Sequence, residues 1–306
     1  MIRYRAEPVP AVHWSGLVLP LMLDPKDKHG WQSEALSSRT RYVRVLRREV
    51  NGRDRWFCQL VQEGEAPRLH ETAEGVVGLD IGPSTIAVVL TEDAALDGFC
   101  PSVIESWKDS RLILRAMDRS RRATNPGNFD AKGRVRKGVK RWNPSKRYQL
   151  LAVKRRERDR RLAAERKRAH GELANPTLEQ GTTIKTEKLS YTSFQKKFGR
   201  SVKLRAPGML VLTLRRKAEG AGGGVIEINT RQSRLSQFDH TTGEYIKKPL
   251  SQRMHVFGDG ATAPVQRDLY SAFLATCYDT NTLDICQVEQ TWPAAEPLLR
   301  RAMSRL

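Results

Sequence analysis

The chain has 306 residues, 39% of them apolar, which suits one large or two modest domains with a real core. No run is long enough to span a membrane, the opening MIRYRAEPVPAVHW lacks the apolar stretch of a secretory leader, and Cys58, Cys100, Cys277 and Cys286 form no CxxC pair, which speaks against zinc-ribbon and disulfide scaffolds. The formal net charge of +20 implies strong self-repulsion in a compact chain, so a polyanionic partner is expected: nucleic acid rather than a membrane, in the cytoplasm.

Residues 1 to about 38 show no clear periodicity. From 41 to 63, two β-rich runs, RYVRVLRREV and RDRWFCQLVQ, flank Asn51-Gly52, the signature of a type I′ hairpin. Residues 65–74 read as a linker. GVVGLDIGPSTIAVVL (75–90) then predicts a buried strand with Val76, Val77, Leu79 and Ile81, a tight turn at Gly82-Pro83-Ser84, and a second strand through Ile86–Leu90. Asp80 is one acid inside the first apolar strand. A buried carboxylate needs a cation or hydrogen-bond donors; capping of the turn through Ser84 or Thr85 is the alternative.

The charge is concentrated downstream. Between Arg111 and Arg168 there are 22 Lys/Arg against 5 Asp/Glu, which accounts for +17 of the +20. Trp107–Arg122 has a helical pattern, Thr124–Trp142 is broken by Asn125-Pro126-Gly127, Gly133 and Gly138, and Pro144–Ala169 reads as a second long helix. This predicts a basic helical hairpin. A solvated face normally mixes signs, whereas this one is dominated by Arg, which suits bidentate phosphate contacts. The expected contacts are Arg121, Arg122, Arg134, Arg136, Lys137, Lys140, Arg141, Lys146, Arg147, Arg155 and Arg156, with Arg205 and Arg267 elsewhere. Beyond the hairpin, a strand is expected over 181–190 ending near Glu187, a helix from 206 to Glu219, a strand at 225–228, a helix opening at Asp268, and a further helix with a loose end in the tail. Alternating strands and helices imply an α/β fold with a mixed sheet.

Three segments carry a resemblance: GLDIGPSTIAVV with Asp80, IKTEKLS with Glu187, and QRDLYSA with Asp268. In this order, with a basic helical insertion between the first two, they resemble the TnpB (OrfB) proteins of bacterial insertion sequences, relatives of the type V CRISPR effector nucleases. The likeness runs from about residue 41 to 275 and includes HGELAN (170–175), SYTSFQKKFGRSVKLRAPGML (190–210) and SRLSQ (233–237). It implies an RNase H-like (RuvC-type) mixed sheet flanked by helices in 75–306, with the basic insertion at 107–170 and a short β-rich, wedge-like remnant at 1–74. The sequence departs from the family in two places. The family usually carries a four-cysteine zinc ribbon, but the corresponding stretch, 238–264, has no cysteine. A degenerate loop or hairpin is expected there, without structural zinc, although Asp239, His240, His255 and Asp259 offer another set of metal donors. The family's longer N-terminal recognition region also has no counterpart in the 79 residues before Asp80.

The resemblance implies an RNA-guided DNA endonuclease, with DNA and a guide RNA as partners and no small-molecule cofactor; older descriptions of the family say transposase. Asp80, Glu187 and Asp268 would be catalytic and would hold Mg²⁺ or Mn²⁺, since two hard cations about 3.5–4 Å apart suit carboxylate ligands and phosphodiester hydrolysis. Arg267 would touch the scissile phosphate, and Lys185, Lys188 and Arg205 would line the cleft. The competing expectation is a catalytically silent nucleic-acid-binding relic or guide-directed repressor; a structural RNA-binding protein using only the basic hairpin is the weakest reading.

Overall fold

A computed structural model describes residues 2–65, 71–249, 251–279 and 281–305. The expected linker at 65–74 falls largely on 66–70, outside the described residues. The chain forms two compact units, Met1–Leu69 with Ile113–Asp159, and His70–Leu112 with Arg160–Leu306. The middle of the basic segment, Ile113–Asp159, groups with the N-terminal residues.

In the first unit, β1 (Ile2–Arg5), β2 (Ala11–Trp14) and β3 (Leu17–Pro20) make a three-stranded antiparallel sheet, followed by the short helix α1 (Trp31–Ser37). These strands have no signature in the sequence, since four-residue runs are too short to display a period. The expected hairpin is present as β4 (Thr40–Val50) and β5 (Arg53–Gln62), with Val50 paired to Arg53. Asn51 and Gly52 both take positive φ, 53° and 74°, as a type I′ turn requires. Gly52 is needed for a second reason: a Cβ there would come within 2.8 Å of Val153 Cγ1.

The second unit is built on a five-stranded sheet. β6 (Val76–Ile81), β7 (Thr85–Val89) and β8 (Ala94–Gly98) run antiparallel to one another; β9 (Thr183–Glu187) and β10 (Gly224–Ile228) add in parallel, giving the order β10-β9-β6-β7-β8. Between β8 and β9 come α2 (Pro101–Thr124) and α3 (Lys146–Gln180), both longer than expected and both shared between the units. Helix α3 runs through Gly171 and Pro176, which the sequence presents as breakers. Helix α4 (Tyr191–Arg205), kinked at Phe198, was not expected; α5 (Pro207–Gly220) was. The short α6 (Thr230–Ser233) and the two-residue strands β11 (Phe238–Asp239), β12 (Glu244–Tyr245), β13 (Met254–His255) and β14 (Val265–Gln266) lead to α7 (Arg267–Thr276) and α8 (Ile285–Met303). The cysteine-free stretch thus holds two small hairpin pairings.

Strand alternation divides the core. Val77, Leu79, Ile81 and Ile184 pack with Leu178, Leu204, Leu210 and Leu214 from α3, α4 and α5. Ala87, Val89 and Ile228 pack with Leu269, Tyr270, Phe273, Trp292 and Leu299 from α7 and α8. Gly78 belongs to the second face, and any Cβ there would drive into the Ala272 carbonyl oxygen. Its missing side chain lets α7 lie directly on β6.

Candidate active site

Asp80 is two residues beyond Gly78 on β6 and therefore points to the same, α7-facing side. Leu79 pairs with Thr186 in the parallel β6–β9 ladder, so Asp80 and Glu187 stand next to each other at the carboxyl ends of adjacent strands, about 5 Å apart across the ladder. Glu187 is the last residue of β9. Asp268 is the second residue of α7, in its first turn, where the helix dipole favours a negative charge. Gln266 caps that turn by accepting from the Leu269 amide at 2.8 Å. Thr85 Oγ1 donates to Asp268 Oδ2 at 3.4 Å and Arg267 Nε lies 3.8 Å from Asp268 Oδ1. The turn hydroxyl at Thr85 thus serves Asp268 rather than Asp80.

The electrostatics show how closely the three acids are placed. Burial holds the Asp80 carboxyl well above the usual carboxylate range, and the charges of Asp268 and Glu187 push it further, against the pull of Arg267. Burial raises Glu187 to about 7, although the Leu235 amide and Ser233 hydroxyl pull it down. Glu187 Oε1 is buried with no hydrogen-bond partner among the described residues. A buried oxygen of that kind carries a desolvation cost that a ligand can relieve.

All three acids line one cavity of about 770 Å³. Around them stand seven cations, Lys188, Lys197, Arg231, Lys247, Lys248, Arg253 and Arg267, with Phe194 and Phe198 on the α4 wall. The two rings meet edge to face, 5.5 Å between centroids. Acids at the floor and cations around them make a site that can receive a phosphate ester beside a bound cation. Of these residues the sequence reasoning had Lys188 and Arg267. The remaining five cations and both phenylalanines were missed; the i, i+4 spacing of Phe194 and Phe198 beside Lys197 was the available signal.

Sequence comparison with family models and with curated proteins gives no match. The fold does have solved counterparts. A chain of a Cas12f1–sgRNA–target DNA complex superposes with a TM-score of 0.58 at 12% identity, over 90% of this chain and 57% of that one. A chain of a CRISPR-Cas12f ternary complex gives 0.45 at 14% identity, over 89% and 53%. The present chain spans just over half the length of these structures. The 0.58 superposition shows a shared mixed α/β fold.

Other expected site residues have different placements. Lys185 does not line the cavity: its Nζ donates to the Thr276 and Tyr278 carbonyls at 3.0 and 2.7 Å, fastening the C-terminal end of α7. Arg205 is half-buried and donates to the Phe99 carbonyl and to Ser201, both at 2.5 Å. Arg267 is 8% exposed and holds the Pro249 carbonyl at 3.2 Å while lining the cavity.

The basic segment of the first unit is an ordered loop between two helices. Asn125 bonds to the Asn143 amide and carbonyl, and Asn128 to the Arg141 carbonyl. Arg121 lies over the Trp142 ring at 4.8 Å, and Arg122 over Phe129 at 4.8 Å while donating to the Gly133 carbonyl. Arg134 pairs with Asp130, Arg136 donates to the Phe129 carbonyl, Arg155 pairs with Asp159, and Arg156 pairs with Glu49 of β4. Lys137, Lys140, Arg141, Lys146 and Arg147 are exposed, with no ion pair among the described residues.

In the 238–264 region the expected metal donors are already engaged. Asp239 Oδ1 accepts from the Thr241 amide and hydroxyl, and Oδ2 from the Gly258 amide. His240 Nδ1 meets the Tyr270 hydroxyl at 2.8 Å, and Asp259 accepts from Ala261 and Thr262. Among the described residues, no group of three or more His, Cys, Asp or Glu is gathered at metal-holding distance, here or in the cavity. No helix among them is long and apolar enough to cross a membrane.

Proposed function

We propose that the chain is a metal-dependent nuclease of the TnpB/Cas12 kind, with Asp80, Glu187 and Asp268 as its catalytic carboxylates. One observation carries this: acids from the first strand of the sheet, the end of a later strand and the start of a buried helix line a single cation-rich cavity. Those placements are the ones implied by an RNase H-like sheet of the RuvC type, and the Cas12f1-like fold is consistent with them. The donors suit Mg²⁺ or Mn²⁺, since all three are hard oxygens, Glu187 Oε1 has no partner among the described residues, and burial and the neighbouring acids push Asp80 towards protonation despite Arg267. When bound, such a cation supplies Lewis-acid stabilisation and an activated water.

The residues themselves do the rest. Arg267 and the cavity lysines bind and orient the phosphate, and Phe194 and Phe198 offer ring faces to bases. With no cation present, Glu187 is about half protonated near neutrality, so cation binding releases protons. The exposed cations of the basic segment track nucleic-acid backbone, with DNA and a guide RNA as partners in an insertion-sequence setting.

A second reading is a silent nucleic-acid binder. The observation in its favour is that the three carboxylates are not drawn together at ligating distance. Incubating the protein with labelled single-stranded DNA and Mg²⁺ or Mn²⁺, with and without native flanking RNA, separates the two. Cleavage that Asp80→Ala abolishes supports the nuclease. Salt-sensitive binding without cutting under every condition supports the binder.

A further inference from the structure

One wall of the cavity is made by the segment around residues 247–249, and its fastening is unusual. Lys248 lines the cavity, yet its Nζ lies over the His255 ring, 2.6 Å from Nδ1 and 3.2 Å from Nε2. One residue on, the Pro249 carbonyl accepts from Arg267 Nη1, and the Arg267 amide donates to the Arg253 carbonyl at 2.8 Å. His255 itself is 0% exposed. Its ring packs on Tyr270 and Phe257, with centroids 4.3 and 4.7 Å away, and Asp239 Oδ2 lies 4.0 Å from its Nε2. Burial and the Lys248 charge hold the imidazole down to about 4, against the pull of Asp239, so near neutral pH it is uncharged and its ring face can hold an ammonium.

We propose that His255 is a positioning residue: its neutral ring holds the Lys248 ammonium in the cavity, where Lys248 contacts a backbone phosphate of the nucleic-acid strand lying across the three acids. A lysine on an exposed loop loses rotamer entropy when it is ordered. Here that ordering is done in advance by a buried ring that itself sits in an aromatic cage against α7, the helix that carries Asp268. The fastened ammonium keeps further N–H donors for a phosphate. The Lys248–His255 contact therefore does in this region what a bound metal does elsewhere: it ties a loop to a core through one polar centre.

The inference rests on the nucleic-acid reading of the cavity, but its test needs no cleavage. Binding of a fluorescein-labelled oligothymidylate is followed by anisotropy over a salt series in EDTA, beside thermal unfolding of each variant. Lys248→Ala is expected to weaken binding about five-fold and to lower the slope of log K against log salt by about 0.7, the value of one phosphate contact on a single strand. His255→Leu, which keeps apolar volume but not the ring, should reproduce both changes; His255→Phe, which keeps a ring face, should restore most of the affinity; and the Lys248→Ala/His255→Leu pair should be no weaker than Lys248→Ala alone. Wild-type affinity and slope in a folded His255→Leu protein, or strictly additive losses in the pair, overturn the inference and leave the nucleic-acid reading standing. Failure of the wild-type protein to bind the probe at all overturns both.

Discussion

At the end of the sheet, three acids share one cavity and one of their oxygens is buried without a partner, so the charge there is held at a cost to the fold. In Ile113–Asp159 the cations stand at the surface, and those that touch protein are tied to carbonyls, rings or single acids. Both regions concentrate charge, but under different solvation. Desolvation dominates the first, where a substitution should change stability, pH response and chemistry together. Solvent screens the second, where a substitution should change affinity and its salt dependence while leaving the fold alone. The comparison teaches that counting charges in a sequence finds the second kind of site readily and the first hardly at all.

The sharpest way to break the contrast is to disturb the floor of the cavity without touching charge. Gly78→Ala forces a methyl group against the Ala272 carbonyl, and a loss of about 3 kcal/mol is expected, read as a drop in urea midpoint. A near-neutral result would show that α7 can lift off β6 freely.

Glu187→Gln tests whether the acids are held at a cost. The folded pKa of Glu187 is about 7, above its ordinary 4.5. Its ionisation therefore destabilises the fold as pH rises from about 4.5 to 7, by about 3 kcal/mol at most when ionisation is complete. In EDTA the variant should match the wild type at pH 4.5 and be more stable at pH 8, by calorimetry at both pH values. Mg²⁺ should shrink that advantage by stabilising the ionised wild type. Half-buried His240 and buried His255, held below their ordinary pKa, cost stability in the opposite direction as pH falls, which is why the difference between the two proteins is the quantity to measure.

For the basic segment, Lys137→Ala/Lys140→Ala/Arg141→Ala should lower the slope of log K against log salt for duplex DNA by about 2.7 with an unchanged melting temperature. A fall in melting temperature would mean that these cations support the loop itself. The smallest effect is expected at Glu49→Gln, which removes the exposed Arg156 ion pair; chemical denaturation should register no more than about 0.5 kcal/mol.

The fold was legible where local chemistry is decisive. Asn51-Gly52 announced its hairpin, and the apolar run around Asp80 announced β6 and β7, because turn geometry and burial each leave a mark within a few residues. β8, with only AALDG to show, has no period to read. Helix α4 is obscured by its polar face and Gly199, and α3 continues past Gly171 and Pro176 because packing of Ala174 and Leu178 outweighs local preference. For the site, no spacing links positions 80, 187 and 268; only the resemblance brought them together before the fold did. Arg205 and Lys185 were read as cleft cations because charge alone says nothing of which carbonyls lie within reach. The cations at 247, 248 and 253 were missed for the same reason, since loops of no fixed pattern deliver them.

Helix α7 has one further consequence. Each residue from Arg267 to Ala275 is buried, its first turn is capped by Gln266, and its last carbonyl, that of Thr276, is bound by Lys185. Amides in such a helix exchange with solvent only when the whole unit unfolds, whereas the kinked, half-exposed α4 opposite belongs to the class of elements that open locally. The cavity therefore has one wall that is buried throughout and tied at both ends, and one that is kinked, half-exposed and of the kind that opens locally.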